Sequence, residues 1–170
     1  DQYTFIQGGD GGMEYPMATL ITGKRSFRSL VGVSVHEMIH SWYQGVLATN
    51  ESLYSWVDEG FTSYATAIVM QYLFNPESTT TALGGSRRSY AAMALSGNEE
   101  PLSTHADHYK TNRSYGVNAY SKGAIFLDQL SYVIGQETFM RGMRRYFNEW
   151  KFKHPTPIDF IRVMEKTSGI

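Results

Sequence analysis

His36, Glu37 and His40 fall within one five-residue stretch, and a second carboxylate, Glu59, follows after eighteen intervening residues. On a helix, residues four apart share a face, so the two imidazoles can address a single ion. Two neutral histidine nitrogens and one carboxylate oxygen fill three of the four tetrahedral positions around zinc. A fourth position left to water marks catalytic rather than structural zinc, and Glu37, beside the first ligand, would face that water as general base. One Zn²⁺ per chain is therefore expected. The competing reading, two surface histidines one helical turn apart, is weakened by Glu59, which a following helix supplies near its own start.

The elements that must position these groups can be read from periodicity. Ser26 to Leu47 has a helical pattern, with Val31, Val35, Met38, Ile39, Trp42 and Val46 forming a broad apolar stripe. This predicts a central, buried helix on which His36, Glu37 and His40 are costly unless something binds them. Gly32, one turn before His36, leaves room above an ion or marks a close helix contact. Ser55 with Asp58 resembles a capping box that starts a second helix at Trp56, and Asn75-Pro76 stops it. Glu59 then lies beside the first helix if the two pack antiparallel.

Upstream, Tyr3 to Ile6 and Met17 to Thr22 read as short strands around the glycine-rich turn Gly8-Gly9-Asp10-Gly11-Gly12. Pro16 confines strand pairing near it to an edge or a strand start. The glycines can be a plain loop, or a bare strand edge that a peptide approaches, with Glu14 reaching a charged end. Downstream, Thr79–Thr81, Gly84-Gly85 and Gly97-Asn98 punctuate a stretch with one short helix from Ser86 to Leu95. His105 and His108 fall in this region, more plausible as solvated loop histidines than as ligands of a second metal. Further helices are predicted over Asn118–Ile134, with Gly135 as its stop, over Phe139–Trp150, and from Pro157 behind Thr156 as cap. The fold class is α+β: a small sheet edge first, then a mostly helical lobe, in one domain.

Bulk properties exclude several functions. The chain has 170 residues, enough for one hydrophobic core, with a formal charge of −1 and no cysteine. That charge leaves no electrostatic footprint for nucleic acid, and no apolar run is long enough to span a bilayer. The chain begins Asp-Gln-Tyr-Thr-Phe, without an initiator Met or a signal-type apolar core. It is expected to be a piece of a longer protein, and its compartment stays open.

Three separated motifs now line up. His36-Glu37-x-x-His40 with Glu59, Gly11-Gly12-Met13-Glu14-Tyr15 and Tyr120-Ser121-Lys122-Gly123 together resemble the catalytic domain of the aminopeptidase N-type zinc peptidases, gluzincins with a thermolysin-like fold. The resemblance runs from about residue 8 to 134, and the last two helices fit the end of such a domain. It implies that Glu14 binds the free α-amino group of a peptide substrate, that Gly11, Gly12 and Met13 offer backbone to it, and that Tyr120 donates to the oxyanion. It also implies flanking domains that this chain does not contain. Tyr15 stands where the family usually has Asn, which puts the first substrate pocket in question. A thermolysin-like endopeptidase, a non-catalytic peptide binder and a relative that hydrolyses an epoxide lipid are the rival readings.

Overall fold

The computed structural model describes residues 2–78 and 82–170, so Thr79–Thr81 lie outside the described residues. Three short strands come first: β1 (Thr4–Gln7), β2 (Met13–Tyr15) and β3 (Ala18–Ile21). They pair in the order β1-β3-β2, with β1 parallel and β2 antiparallel to β3. The two strands expected from sequence are there. β2 was legible only as a possible strand edge, because three residues carry no alternation of their own and take their form from β3. Glu14 pairs with Thr19, whose buried hydroxyl donates to the Met13 carbonyl at 2.9 Å. Pro16 and Met17 form the hairpin turn, and Met17 takes φ 59, a left-handed conformation that a side chain makes costly.

Helix α1 (Phe27–His40) follows Ser26, whose side chain accepts from the Ser29 amide. It packs against β2 and β3 on one side and against α2 (Phe61–Phe74) on the other. Its position is central, as expected, but it is not buried: Met38 is 38% exposed, as is 48% of Trp42 just beyond its end, whereas the buried residues of α1 are Glu37 and His40. The apolar stripe therefore overstated burial. A helix that carries apolar residues around much of its circumference cannot turn all of them inward, and here the polar pair takes the inner face. Gly32 proves to be a helix contact, where a Cβ would meet the Met70 methyl of α2 at 3.4 Å.

The core lies elsewhere. Its large members include Phe61, Tyr64, Leu127, Phe139, Tyr146 and Phe160, drawn from α2, α5 (Gly123–Ile134), α6 (Gln136–Trp150) and α7 (Pro157–Ser168), together with Trp56 just before α2. Helix α3 (Gly84–Leu95) and the single-turn α4 (Asn112–Gly116) complete the α-helices of the described residues. Helix α5 stops at Gly135 with φ 85. The Asp159 carboxylate reaches back to the Thr156 amide at 2.9 Å, closing the expected start of α7. At Ser55 the expected capping box is absent: Ser55 is itself helical (φ −51, ψ −31) and its side chain makes no capping bond. The Asp58 side chain is turned toward His40 instead.

Three stretches have π-helical hydrogen bonding: Ser41–Val46, Trp56–Gly60 and Val117–Lys122. The first begins directly after His40, the second contains Glu59 and the third contains Tyr120. Such widened turns concentrate at functional sites, where they re-aim side chains that a regular α-helix would point elsewhere. Among the described residues, no helix is long and apolar enough to cross a membrane.

Candidate metal and active site

The residues expected to hold zinc converge. His40 Nε2 lies 3.1 Å from His36 Nε2 and 3.4 Å from Glu59 Oε2, and His36 Nε2 lies 3.1 Å from the same oxygen. Ligands bonded at about 2.0–2.1 Å to a tetrahedral zinc stand about 3.3 Å apart, so this triangle has the right size. Its chemistry also asks for a cation. His40 Nδ1 is 2.7 Å from Asp58 Oδ1, which directs the proton of a neutral ring there and leaves a lone pair on Nε2. His36 Nδ1 faces Thr66 Oγ1 at 3.5 Å, so its Nε2 also turns inward. Lone pairs aimed at one point repel one another unless a positive charge sits between them.

The electrostatics agree. Burial alone would drive the proton off His40, yet hydrogen bonds to Asp58 and Glu59 override it and raise its pKa to about 11. The anionic field that would hold a proton there also favours a metal cation. Burial likewise works to raise the pKa of Glu59, but its hydrogen bonds to His36 and His40 pull it down to about 2, keeping the carboxylate ionised. Burial pushes Asp58 upward, to about 6, against the opposing pull of His40.

Glu37 is 5% exposed and its Oε2 has no hydrogen-bond partner. Desolvation is the main cause that raises its pKa, moving a carboxylate toward the range of a useful base. The glycine-rich turn presses directly on it: a Cβ at Gly12 would lie 2.2 Å from Glu37 Oε1 and 2.8 Å from Val33 Cγ2. On the edge strand, Glu14 offers a carboxylate oxygen within 4.8 Å of ligand atoms on Glu37 and His40. The Tyr120 hydroxyl donates to Glu59 Oε1 at 2.6 Å, and its ring stacks on His36 with centroids 5.8 Å apart. Burial, then the charge on Glu59, raise its pKa above the ordinary value, so Tyr120 stays a phenol and a donor.

Gly12, Met13, Glu14, His36, Glu37, His40, Glu59 and Tyr120 all line one cavity of about 370 Å³. Gly11 is exposed just outside it, its carbonyl accepting from the Arg25 guanidinium. His105 and His108 belong to no metal-sized cluster among the described residues; the His105 side chain accepts from the Asp107 amide at 3.1 Å.

Other groups at the site were not singled out from sequence. Asp58, Thr62 and Thr66 form a polar row at intervals of four along the second helical segment and face His40 and His36. That spacing was the available signal, but Asp58 had been absorbed into the capping motif. Tyr115 lines the cavity, with a pKa raised to about 12 by burial and by Glu59 and Asp58, and nothing in its local sequence marks it among 12 tyrosines. Asp58→Ala is expected to lower zinc affinity by about 10–100-fold, because His40 loses the partner that fixes its tautomer and ring. Competition against a chelating dye measures this, and unchanged affinity would remove Asp58 from that role.

Comparison with known proteins follows the same lines. Residues 15–170 match the Peptidase family M1 domain. The chain belongs to peptidase family M1. Aminopeptidase B of Rattus norvegicus is 34% identical over 160 residues, which cover 89% of this chain and 24% of that protein. The M1 chain thus spans about a quarter of the length of that relative. Among solved structures, an M1 zinc metallopeptidase variant from Deinococcus radiodurans with bound Tyr-Ser-Ala superposes with a TM-score of 0.77 at 16% identity, covering 99% of this chain and 36% of the other. Native yeast LTA4 hydrolase gives a TM-score of 0.76 at 20% identity, over 99% of this chain and 30% of that one. These likenesses show the fold: mostly helical, with the small sheet at the amino-terminal end.

Proposed function

We propose that this M1 chain carries the catalytic centre of a zinc-dependent aminopeptidase, which removes the first residue of peptides with a free amino end. The observation that supports it most is one cavity in which a zinc-sized donor triangle, a buried carboxylate with an unpartnered oxygen and a strand-edge carboxylate stand together. His36, His40 and Glu59 would hold a single Zn²⁺. Zinc supplies Lewis acidity toward the scissile carbonyl and lowers the pKa of a bound water to about 7. Glu37, whose carboxylate borders the cavity, takes the proton of the attacking water and delivers it to the departing nitrogen. Glu14 pairs with the substrate α-ammonium and so counts one residue from the end. Gly12 and Met13 line the cavity beside the edge strand β2, so their backbone, with the Gly11 amide at the rim, would offer hydrogen bonds to an extended peptide. Tyr120 is the donor available to the charge that develops on the carbonyl oxygen; its hydroxyl hydrogen would rotate from Glu59 Oε1 toward that charge with the ring in place.

Glu14 separates this reading from an endopeptidase, which needs no anion at that place. The test is cleavage by the full-length protein of one peptide with its amino end free or acetylated. Only the free peptide is expected to be cut, and equal cleavage of both would overturn the exopeptidase assignment. A pH profile adds a second check. Glu37 must be ionised to act, so activity is lost as pH falls through its raised pKa. The acid limb of kcat/KM is expected above the ordinary carboxylate value of 4.5 and should be absent from the residual activity of Glu37→Gln.

A further inference from the structure

Behind the site, two buried glycines touch. Gly60 directly follows Glu59, and Gly123 opens α5 three residues after Tyr120. A Cβ on Gly60 would lie 2.8 Å from the Gly123 Cα and 3.0 Å from the Ala119 carbonyl oxygen. One on Gly123 would lie 2.9 Å from the Gly60 Cα. These obstacles are main chain, so none can swing aside as a flexible side chain would. The contact joins the π-helical stretch that carries Glu59 to the first residue of α5, directly after the stretch that carries Tyr120, and the same crossing carries the 2.6 Å hydrogen bond between those residues.

We propose that the Gly60–Gly123 contact is a positioning device for the metal ligand. It sets the separation of two main chains at which the Tyr120 hydroxyl reaches Glu59 Oε1, and so keeps Glu59 Oε2 turned toward His36 and His40. The tyrosine ring is rigid and stacked on His36, so it cannot lengthen its reach to follow a retreating partner. An ordinary Cβ contact begins near 3.4 Å, so alanine at Gly60 asks for about 0.6 Å more than the 2.8 Å present. Taken along the hydrogen bond, that moves 2.6 Å to about 3.2 Å, beyond the usual O–H···O range. Glu59 then keeps its charge but loses what fixes its rotation. Gly60 and Gly123 act through Tyr120 and Glu59 and touch no substrate. The inference rests on His36, His40 and Glu59 being the zinc ligands.

The test is a double-mutant cycle on the full-length protein, read as zinc affinity in competition with a chelator. Gly123→Ala and Tyr120→Phe are each expected to weaken zinc binding by about tenfold or more. The double variant should be no weaker than the worse single one, since both remove the same bond. Gly116→Ala, at a place where a Cβ meets nothing within 4 Å, should leave affinity unchanged. Losses that simply add would overturn the proposal, because a glycine serving packing alone would not depend on Tyr120. If Gly123→Ala does not fold, Tyr120→Phe still decides: it leaves the backbone intact, and unchanged zinc affinity would overturn the proposal. An unmutated protein that binds no zinc would instead overturn the metal site, and this inference with it.

Discussion

Glu37→Gln is expected to lower kcat/KM by about 10²–10⁴-fold, the usual contribution of a positioned general base, while the variant keeps its zinc. The substitution conserves size and leaves His36, His40, Glu59 and Asp58 in place, so the donor triangle survives. What goes is the basic oxygen: the amide cannot take the proton of water or return it to the leaving nitrogen. Stability should not fall with activity. Glu37 is 5% exposed with an unpartnered Oε2, and burying a neutral amide costs less than burying a carboxylate. Steady-state kinetics, metal analysis and a thermal melt on one preparation check all three statements. A variant that keeps half its rate would remove Glu37 as the base.

Glu14→Ala is expected to cost about 10–100-fold in kcat/KM on peptides with a free amino end, corresponding to about 1.5–3 kcal/mol for a hydrogen bond to a charged group. The same change should leave any slow cleavage of acetylated peptides unaffected, so the loss lies in discrimination. The geometry explains why one carboxylate can do this. β2 is held in register by β3, and the buried Thr19 hydroxyl bonds the Met13 carbonyl, which fixes the strand carrying Glu14 against the cavity. A Glu14→Ala protein that still prefers free over blocked ends to the original degree would place amine recognition elsewhere.

Much of this candidate site was legible because the residues of its donor triangle are set by local spacing. The interval of four between His36 and His40 works on any helix, and Glu59 needs only a second helix beside the first. Glu14 was legible through its motif, whereas the strand beneath it was not, because three residues are held by cross-strand pairing and carry no pattern of their own. The π-helical stretches were not legible for a related reason: each is five or six residues long, too short to show a period of its own in the sequence. Asp58 was hidden by a rival local role. An acid three residues after a serine reads as a cap, and only the packing of the two segments shows that His40 claims it first, at 2.7 Å. The exposure of Met38 and Trp42 was illegible too, since hydropathy does not say which face of a helix the core occupies.

The polar interior of α1 links these points. Its buried residues, Glu37 and His40, are the ones that ordinary packing would keep outside, and both face the cavity. Their burial is offset by Asp58 for His40, whereas Glu37 retains an unpartnered oxygen. Fold stability alone does not call for that arrangement; chemistry at the cavity does.

The most direct test of the zinc centre is the metal content of the purified protein by elemental mass spectrometry, with and without His40→Ala. About one zinc per chain is expected in the unmutated protein. In His40→Ala it should be lost, with the variant shown to be folded by circular dichroism. A folded, unmutated protein that holds no zinc after zinc is supplied would contradict the centre formed by His36, His40 and Glu59, and so would a His40→Ala variant that keeps its metal.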